Sequence, residues 1–522
     1  MFHPRRTLRA LLLPLAAGLA LTALPAQTAQ AATTLTNGGF ETDGAGTATP
    51  AGWSTYSATG QNSASFTESG GHGGSYRLSH YSASAYKVET YQYLSGLTNG
   101  AYKLTAWVRS GGGQKSAYLA LKNCGSAEQR TDLPVSSSDW IRIVTSINVT
   151  NNQCTISVNS DANAGNWINV DDLTFTSGST GLSVKGADIS SLPKSEAFGG
   201  VYRTASGTAG DAVGILRSAG MNYARLKVWV NPADGYNNKT RTLALAKRIK
   251  ASGMKLLVDF HYSDTWADPG KQTKPAAWSG HSYSQLKTDV YNHTYDVLNA
   301  LKAQGTTADM VQVGNEINGG MLWSEGSTDN WSQLAGLLNS GYSAAKAVSS
   351  GTQVALHLAN AGDDATVRWW FDSAKTYGMN YDLIGLSYYG YWHGSLAAAQ
   401  TTLDDVASRY AKPVFIAETA YPFRLDSDDA LVNQIDTTGE LVGGYPATAA
   451  GQLAWMNAVA NIVEAVPNGR GLGVFYWEAT WTAVTGNGWD PADASSGNGW
   501  ENQALFGFDD RALSSMAWFA HR

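Results

Sequence analysis

The 522-residue sequence has few of the residues that mark metal centres, thiol chemistry or binding to polyanions. It has only two cysteines, no Cys-x-x-Cys pair and no His-x-x-x-His pair, so zinc and thiol catalysis are poorly supported. No local motif combines Ser, His and Asp in the manner of a serine hydrolase. Thirty-six Lys and Arg oppose 42 Asp and Glu, a formal net charge of −6. Nucleic acid and anionic membrane surfaces are therefore not expected partners.

Long apolar runs are also scarce, and the one present is N-terminal. A basic head with Arg5 and Arg6 precedes an apolar run over 10–24, and Ala29-Gln30-Ala31 follows. This order is typical of a secretory signal peptide, here residues 1–31, cleaved after Ala31. Pro14 interrupts the run and no basic flank follows, which disfavours a transmembrane helix. We expect a secreted, extracellular, soluble monomer with no membrane association.

The two cysteines, Cys124 and Cys154, lie in a segment rich in Ser, Thr, Gly, Asn and Tyr, residues 33–177. Short runs of alternating polarity, such as 101–108, are separated by Gly and Asn turns, which predicts an all-β sandwich. In an oxidising compartment two cysteines within one small domain are expected to form a disulfide. The sequence therefore predicts a disulfide-bridged β-sandwich as the first domain.

After a short Ser-Gly-Thr linker, residues 178–181, the pattern changes to strand-length apolar runs that alternate with helix-period segments. Eight runs qualify as strands: 183–188, 223–230, 255–261, 310–315, 354–359, 381–388, 413–418 and 471–477. Eight βα units over residues 182–522 predict a (β/α)₈ barrel. An open doubly wound sheet is the alternative. It is disfavoured because no glycine-rich phosphate turn follows the first strand.

Two predicted barrel strands each deliver a glutamate at the C-terminal end. Glu316 ends the run from Met310, and Glu418 ends the run from Pro413. Because all parallel strands of a barrel end on the same rim, the two carboxylates can face each other, as hydrolysis of a glycosidic bond requires. We assign Glu316 as the acid/base, because Asn315 beside it can hold the sugar 2-hydroxyl. Glu418 is then the nucleophile of a retaining mechanism.

Other polar and aromatic side chains stand at the strand ends and in the loops that follow, where barrel enzymes bind substrate. Arg225 can keep Glu418 ionised, Tyr388 or Tyr389 can donate a hydrogen bond to it, and His261 and Trp477 can shape the sugar subsite. The candidate substrate-binding residues are Asp188, Arg225, Trp229, His261, Asp264, Asn315, Asn360, Tyr388, Tyr389, Trp392 and Trp477. No residue is assigned as a metal ligand of the catalytic centre.

Several of these motifs resemble those of glycoside hydrolase family 53, the arabinogalactan endo-β-1,4-galactanases. They are Gly186–Leu192, Arg225–Trp229, the long Asp259–Gln272 motif, Val313–Gly320, Leu386–Tyr389 and Glu418–Pro422. The resemblance covers the chain from about residue 182 to its C-terminus. It implies endo-hydrolysis of β-1,4-galactan or arabinogalactan of plant cell walls, with Glu316 as proton donor and Glu418 as nucleophile, and without a required cofactor.

Calcium is considered at two places. Bacterial relatives in that family carry a calcium loop with alternating Asp, Asp, His and Asn after the seventh strand. Residues 425–433 keep alternating aspartates but lack the histidine. The N-terminal segment resembles jelly-roll carbohydrate-binding modules in its Asn37–Glu41 and Val170–Leu173 motifs. The resemblance implies that Glu41 and Asp172 are candidate ligands of a structural calcium.

The leading hypothesis is a secreted, retaining endo-galactanase with an appended sugar-binding module. An endo-glycanase of the same clan, with the same machinery and another β-linked polysaccharide as substrate, is the nearest alternative. A non-catalytic polysaccharide-binding protein that keeps the fold is a different class of alternative. The presence of both glutamates disfavours it.

Overall fold

The structure, a computed structural model, describes residues 35–521. The predicted signal peptide, residues 1–31, lies outside these residues. Within the described residues, every α-helix is too short or too polar to traverse a lipid bilayer. The described chain folds as a β-sandwich followed by a closed barrel, which confirms the predicted fold class.

Ten antiparallel strands form the sandwich, in two five-stranded sheets of order β1-β4-β9-β6-β7 and β2-β3-β10-β5-β8. The strands are β1 Ser54–Tyr56, β2 Ser65–Ser69, β3 Tyr76–Tyr81, β4 Tyr86–Ser95, β5 Gly100–Ser110, β6 Gln114–Lys122, β7 Gln129–Asp132, β8 Ser137–Val149, β9 Gln153–Ala162 and β10 Trp167–Ser177. Alternate residues of β5 are buried, as the period-two pattern predicts. Cys124 and Cys154 are joined in a disulfide, which confirms that prediction.

Eight parallel strands close in sequence order into a barrel. They are β11 Val184–Asp188, β12 Tyr223–Val228, β13 Lys255–Phe260, β14 Met310–Val313, β15 Gln353–Leu358, β16 Leu383–Ser387, β17 Val414–Thr419 and β18 Gly471–Tyr476. Each of the eight predicted strands overlaps one of these. The open-sheet alternative is excluded because β18 pairs with β11.

Helices cover the outside of the barrel. They are α1 Leu192–Ala197, α2 Ala212–Ser218, α3 Lys239–Ala251, α4 Tyr283–Ala303, α5 Trp331–Val348, α6 Asp364–Thr376, α7 Leu396–Arg409 and α8 Ala449–Glu464. The helix α3 shows how the sequence specifies them. Asn238 caps its first turn, Leu245, Ala246 and Ile249 face the core, and Gly253 follows its end at φ +79°.

The interior of the barrel is layered along each strand. Its lower end is filled by apolar side chains: Val184, Tyr223, Leu257, Met310, Ala355, Leu383, Phe415, Ala417 and Phe475. On β12 the inward residues Tyr223, Arg225 and Lys227 follow with period two, so the same strand passes from an apolar to a charged layer. The sequence pattern thus places a charged layer directly above the apolar layer of the barrel interior.

The sandwich is docked along α7 and α8 of the barrel. One terminal nitrogen of Arg142 on β8 donates to both carboxylate oxygens of Asp404 on α7, at 2.8 and 2.7 Å, and to the carbonyl of Ala465 at 2.8 Å. The hydroxyl of Tyr445 accepts from the backbone N–H of Val135 at 3.3 Å. In the linker, Thr180 donates to Glu464 at 2.6 Å. The two domains therefore share a polar, directional interface.

Candidate active site

Arg225 is the centre of the charged layer of the barrel. The fully buried guanidinium contacts three carboxylates, Asp188 at 2.9 Å and Asp259 and Glu418 at 2.8 Å each. It also donates to the side-chain oxygens of Gln312 and Asn315, both at 2.8 Å. Burial alone would lower the pKa of Arg225, but these carboxylates raise it above its ordinary value. The guanidinium of Arg225 on β12 thus links its own strand to β11, β13, β14 and β17.

Glu316 faces Glu418 across the mouth of the barrel. One carboxylate oxygen of each residue lies within 4.8 Å of the other. The backbone leaves strand geometry at this point, with Gly314 at φ +89° and Glu316 itself at φ +46°. A left-handed conformation is unfavourable for a residue with a Cβ atom, and such strain concentrates at functional sites. The turn aims Glu316 across the cleft instead of along the strand.

The two carboxyl groups have different hydrogen-bond partners. Glu418 accepts from Arg225 and from the hydroxyl of Tyr389, at 2.8 and 3.1 Å. Glu316 accepts from the hydroxyl of Ser387 at 2.6 Å. Burial raises the pKa of both groups, and the charge of Glu316 raises the pKa of Glu418 further. Because the guanidinium touches Glu418, the single charge of the half-protonated pair resides there and the proton resides on Glu316.

His357 completes the surroundings of Glu316. Its Nδ1 lies near two donors, the Glu316 backbone N–H at 3.4 Å and the Gln312 amide at 2.9 Å, and near one acceptor, the Asn315 oxygen at 3.0 Å. Since the Asn315 oxygen already accepts from Arg225, we assign Nδ1 as the acceptor nitrogen. Its Nε2 then donates to Ser387 at 2.9 Å. Burial and the Arg225 charge hold the pKa of His357 well below its usual range, so the ring is neutral. The ring, the hydroxyl and the carboxyl group form one directed hydrogen-bond chain.

A cleft of about 640 Å³ opens above the glutamate pair. Six indole rings line it: Trp266, Trp392, Trp477, Trp481, Trp489 and Trp500. Trp477 and Trp500 pack against each other with centroids 4.4 Å apart. Trp392 and Trp489 are about half exposed at the rim, 50% and 46% respectively. A cleft of flat rings suits pyranose sugars, whose C–H faces are apolar and whose edges carry hydroxyl groups.

Six of the predicted substrate-binding residues line this cleft together with the two glutamates. They are Arg225, His261, Asn315, Tyr389, Trp392 and Trp477. Asn315 is already engaged, because its oxygen accepts from Arg225 and its amide donates to the carbonyl of Ala267 at 2.8 Å. His261 contacts Asp259 at 3.0 Å and accepts from the backbone N–H of Ala267 at 3.1 Å. Both residues are thus fixed before any ligand arrives.

Five predicted residues do not line the cleft, and their contact with substrate stays a prediction. Asp188 lies beneath it as a partner of Arg225. Trp229 is buried behind His261, Asp264 accepts from the backbone N–H groups of Asn231 and Ala276, and the Tyr388 hydroxyl donates to Gly394. Asn360 occupies a tight turn at φ +67°. A strand-end position alone does not distinguish a ligand contact from a loop brace.

Sequence reasoning did not assign a second buried ion pair, Lys227 with Glu478. Glu478 also accepts from the hydroxyl of Ser191 at 2.6 Å. The ammonium of Lys227 lies 4.3 Å from the ring centroid of Trp266, which fixes that indole in the cleft wall. Lys227 lies two residues after Arg225 on β12, and side chains two residues apart on a strand point to the same side. This spacing is the sequence signal that places Lys227 inside the barrel.

The loop after β17 does not reproduce the family calcium loop. Asp426 pairs with Arg424, and Asp429 accepts from the backbone N–H groups of Leu431 and Asn498, both at 2.7 Å. Oδ1 of Asn433 and Oε2 of Glu501 are buried without partners beside this loop. The loop lacks the histidine of the family ligand set, and calcium binding here stays a prediction.

The candidate calcium ligands of the sandwich, Glu41 and Asp172, both lie against the turn formed by residues 71–74. Glu41 accepts from the backbone N–H groups of Ser75 and Tyr76, both at 2.7 Å, and Asp172 contacts His72 at 2.7 Å. Both carboxylates thus have protein partners, and calcium binding there stays a prediction.

The barrel is similar in sequence to known proteins. The model of glycosyl hydrolase family 53 matches residues 184–519. An endo-beta-1,4-galactanase of Bacillus subtilis is 35% identical over 374 residues, 65% of this chain and 85% of the relative. An arabinogalactan endo-beta-1,4-galactanase of Thermothelomyces thermophilus is 35% identical over 65% of this chain and 99% of its own. The solved Ignisphaera aggregans GH53 catalytic domain is 38% identical and covers 65% of this chain and 95% of its own, with a TM-score of 0.62.

Proposed function

The chain belongs to glycosyl hydrolase family 53, and on that premise we propose that it hydrolyses internal β-1,4-galactosidic bonds of galactan or arabinogalactan. The observation that carries the proposal is the facing pair Glu316 and Glu418, with carboxylate oxygens within 4.8 Å. Retaining glycosidases hold their two carboxyl groups about 5–5.5 Å apart, whereas inverting enzymes need about 6.5–9.5 Å to admit a water. The separation supports double displacement.

In the first step Glu418 attacks the anomeric carbon and forms a glycosyl ester. The bond to the glycosidic oxygen breaks, and Glu316 gives its proton to that oxygen, which leaves as the hydroxyl of the released chain. In the second step Glu316, now a carboxylate, takes a proton from water. The oxygen of that water attacks the anomeric carbon, and the ester bond to Glu418 breaks, which restores the Glu418 carboxylate.

The surrounding residues prepare this chemistry. Arg225 and the Tyr389 hydroxyl hold Glu418 in its ionised form at 2.8 and 3.1 Å. Burial and the Glu418 charge raise the pKa of Tyr389 well above its ordinary value, so its hydroxyl stays a donor. We assign Asn315 and His261 to the sugar at the cleavage point. Trp392 and Trp477 supply flat walls for the flanking sugars.

The remaining predictions extend this function to its setting. The N-terminal 31 residues direct secretion as a signal peptide, and the mature protein acts outside the cell as a monomer. The N-terminal domain, which the sequence predicts over residues 33–177, acts as a carbohydrate-binding module. The plant cell-wall polymer is then bound and cut by one polypeptide.

Product analysis tests the proposal directly. The protein is incubated with linear β-1,4-galactan, and with mannan, xylan and a β-glucan as a substrate panel. We expect short galacto-oligosaccharides from galactan, with the β-anomer appearing first by NMR, and little release from the other polymers. Glu418→Gln should abolish release, whereas the exposed Glu128→Gln should not. Cleavage of another polymer in preference to galactan would favour the clan alternative, and no cleavage of any would favour a binding protein.

A further inference from the structure

The outward face of one sandwich sheet carries aromatic side chains that the hydrophobic core does not use. Trp107 on β5, Trp140 on β8 and Trp167 on β10 alternate with core residues, since Val108 and Ile168 beside them are fully buried. Alternation places the three indoles on the opposite face, where each is only partly buried. Large partly exposed apolar side chains that cluster on one surface mark interaction sites.

The guanidinium of Arg109 and the imidazole of His72 join the three indole rings into one cluster. Arg109 lies 4.8 Å from the ring centroid of Trp140 and 5.7 Å from that of Trp167. His72 stacks on Trp107 at 3.9 Å and meets Trp140 edge-on at 5.8 Å. We call these five residues the aromatic patch: His72, Trp107, Arg109, Trp140 and Trp167.

Beneath the patch a polar chain fixes Arg109. Its Nε donates to Asn169 at 2.9 Å, and the Asn169 amide donates to Ser79 at 2.7 Å. Ser79 donates to Glu68 at 2.6 Å, and Asn169 and Ser79 are almost completely buried. Among the described residues, the terminal nitrogens of Arg109 have no hydrogen-bond acceptor. Pre-oriented donors beside flat rings are what vicinal sugar hydroxyls above a C–H face require.

The charge of this face favours a neutral polymer. Glu68 pairs with Arg77 at 3.0 Å, and Asp172 contacts His72 at 2.7 Å. The cations of the face are therefore largely balanced by carboxylates, which disfavours an acidic polysaccharide or nucleic acid. Galactan is neutral and is the polymer that we propose for the cleft of the same chain.

The patch adjoins the barrel through β8. Arg142, two residues after Trp140 on the same face of β8, is bound to Asp404 of α7 and to the carbonyl of Ala465 at the end of α8. The same guanidinium lies 5.3 Å from the ring centroid of Trp107. The docked interface therefore holds the patch in a fixed position against the helical layer of the barrel.

We propose that the aromatic patch is a second binding site for the β-1,4-galactan strand, held in fixed relation to the catalytic cleft by the Arg142–Asp404 contact. The identity of the polymer rests on the proposed function; the site itself rests on the patch. A polymer long enough to reach from the cleft to the patch occupies both sites of the same protein at once. Binding at both sites raises the effective concentration of polymer at the cleft without a new catalytic contact.

Affinity electrophoresis of the full chain tests the site. All binding variants carry Glu418→Gln, so that the galactan in the gel is not cut. We expect Trp140→Ala/Trp167→Ala, and separately Arg109→Leu, to weaken retardation at least tenfold. The control is Tyr93→Ala, which removes a more exposed aromatic side chain, 53% exposed, from the other sheet. Thermal unfolding of each variant verifies that the sandwich remains folded.

Activity measurements separate this site from the catalytic one. With Glu418 intact, Trp140→Ala/Trp167→Ala should cleave galactotetraose at the wild-type kcat and KM but show a severalfold higher KM on long galactan. The site would be overturned if the parent and the tryptophan variant were retarded equally, or if Tyr93→Ala weakened retardation as much as the tryptophan substitutions. Equal retardation is also the result expected if the patch binds a protein partner instead of galactan. Failure of the wild-type chain to cleave galactan contradicts the proposed function instead and is read from the activity assay alone.

Discussion

The hydroxyl oxygen of Ser387 lies 2.6 Å from Oε1 of Glu316, and its proton points at that carboxyl group. The direction is set by His357, whose neutral ring donates Nε2–H to the same hydroxyl. The contact stabilises the charged form of Glu316 and so lowers a pKa that burial has raised. Ser387 therefore sets how alkaline the solution can become before the proposed acid loses its proton.

The first prediction follows from that sign. In Ser387→Ala the charged form of Glu316 loses a donor, its pKa rises further, and the alkaline limb of kcat against pH should move upward by about one pH unit, the equivalent of one charged hydrogen bond. The measurement is kcat on galactan between pH 4 and 10. Ser373→Ala, on an exposed face of α6, is the control and should leave the limb in place. A downward shift would contradict the assignment of Glu316 as the acid.

The second prediction concerns the identity of the nucleophile. Glu418→Ala should lower kcat by about 10⁴-fold, and azide should restore turnover by entering the space of the missing carboxylate. A single displacement inverts the anomeric carbon, so the product should be the α-galactosyl azide. Glu316→Ala keeps the glycosyl ester, and azide should then give the β-azide from a substrate with a good leaving group. NMR of the two azides decides the roles, and exchanged products would reverse them.

The third prediction concerns Arg225. Arg225→Lys keeps the charge but cannot reach Asp188, Asp259 and Glu418 together, because an ammonium lacks the planar fork of donors. We expect a large loss of kcat and a fall of about 3–5 kcal/mol in the free energy of unfolding, as for a broken buried ion pair. Urea unfolding measures the second quantity. Arg217→Lys on exposed α2 serves as the control, and near-wild-type values in both measurements for Arg225→Lys would contradict the role.

The fourth prediction concerns the disulfide Cys124–Cys154, which joins residues 30 apart in the sequence. Cys124→Ala/Cys154→Ala should lower the free energy of unfolding of the sandwich by about 3–4 kcal/mol, because the unfolded chain regains the entropy of the open loop. Differential scanning calorimetry measures this change. Hydrolysis of galactotetraose should not change, since the disulfide is remote from the cleft; a parallel loss of that activity would show that the barrel depends on the sandwich.

The fifth prediction concerns domain docking. Arg142→Met removes the cation that bridges Asp404 and the carbonyl of Ala465. We expect the sandwich to separate from α7, faster proteolysis within residues 178–183 and a larger radius of gyration by X-ray scattering. Arg130→Met, an exposed pair with Glu128 on the sandwich, is the matched control. Unchanged scattering would show that the remaining contacts, Val135 with Tyr445 and Thr180 with Glu464, suffice for docking.

Much of the fold follows from the sequence because periodicity reports burial directly. All eight predicted barrel strands overlap observed ones, since continuous apolar runs bounded by helix-period segments leave few alternatives. The ends of the predicted strands differ from the observed ends by a few residues, because the adjoining loops determine where a strand stops. Glu316, for example, lies three residues beyond the end of β14 because Gly314 turns the chain.

The site was less completely predictable, because a strand-end position does not fix the direction of a side chain. Tyr388 and Tyr389 are adjacent, yet only the Tyr389 hydroxyl reaches the Glu418 carboxylate, since neighbouring side chains point to opposite sides. The walls supplied by Trp489 and Trp500 come from a long loop after β18, where no periodicity applies. The docking of the sandwich through Arg142 likewise depends on contacts more than 250 residues apart.

The left-handed backbone at Glu316 has a consequence for protein engineering. Glycine and asparagine adopt a φ of +46° more easily than glutamate does. A library screened only for resistance to heat should therefore enrich Glu316→Gly and Glu316→Asn, because both relax the main chain at the cleft. The sturdiest descendants of this protein would then be those that can no longer cut a polysaccharide.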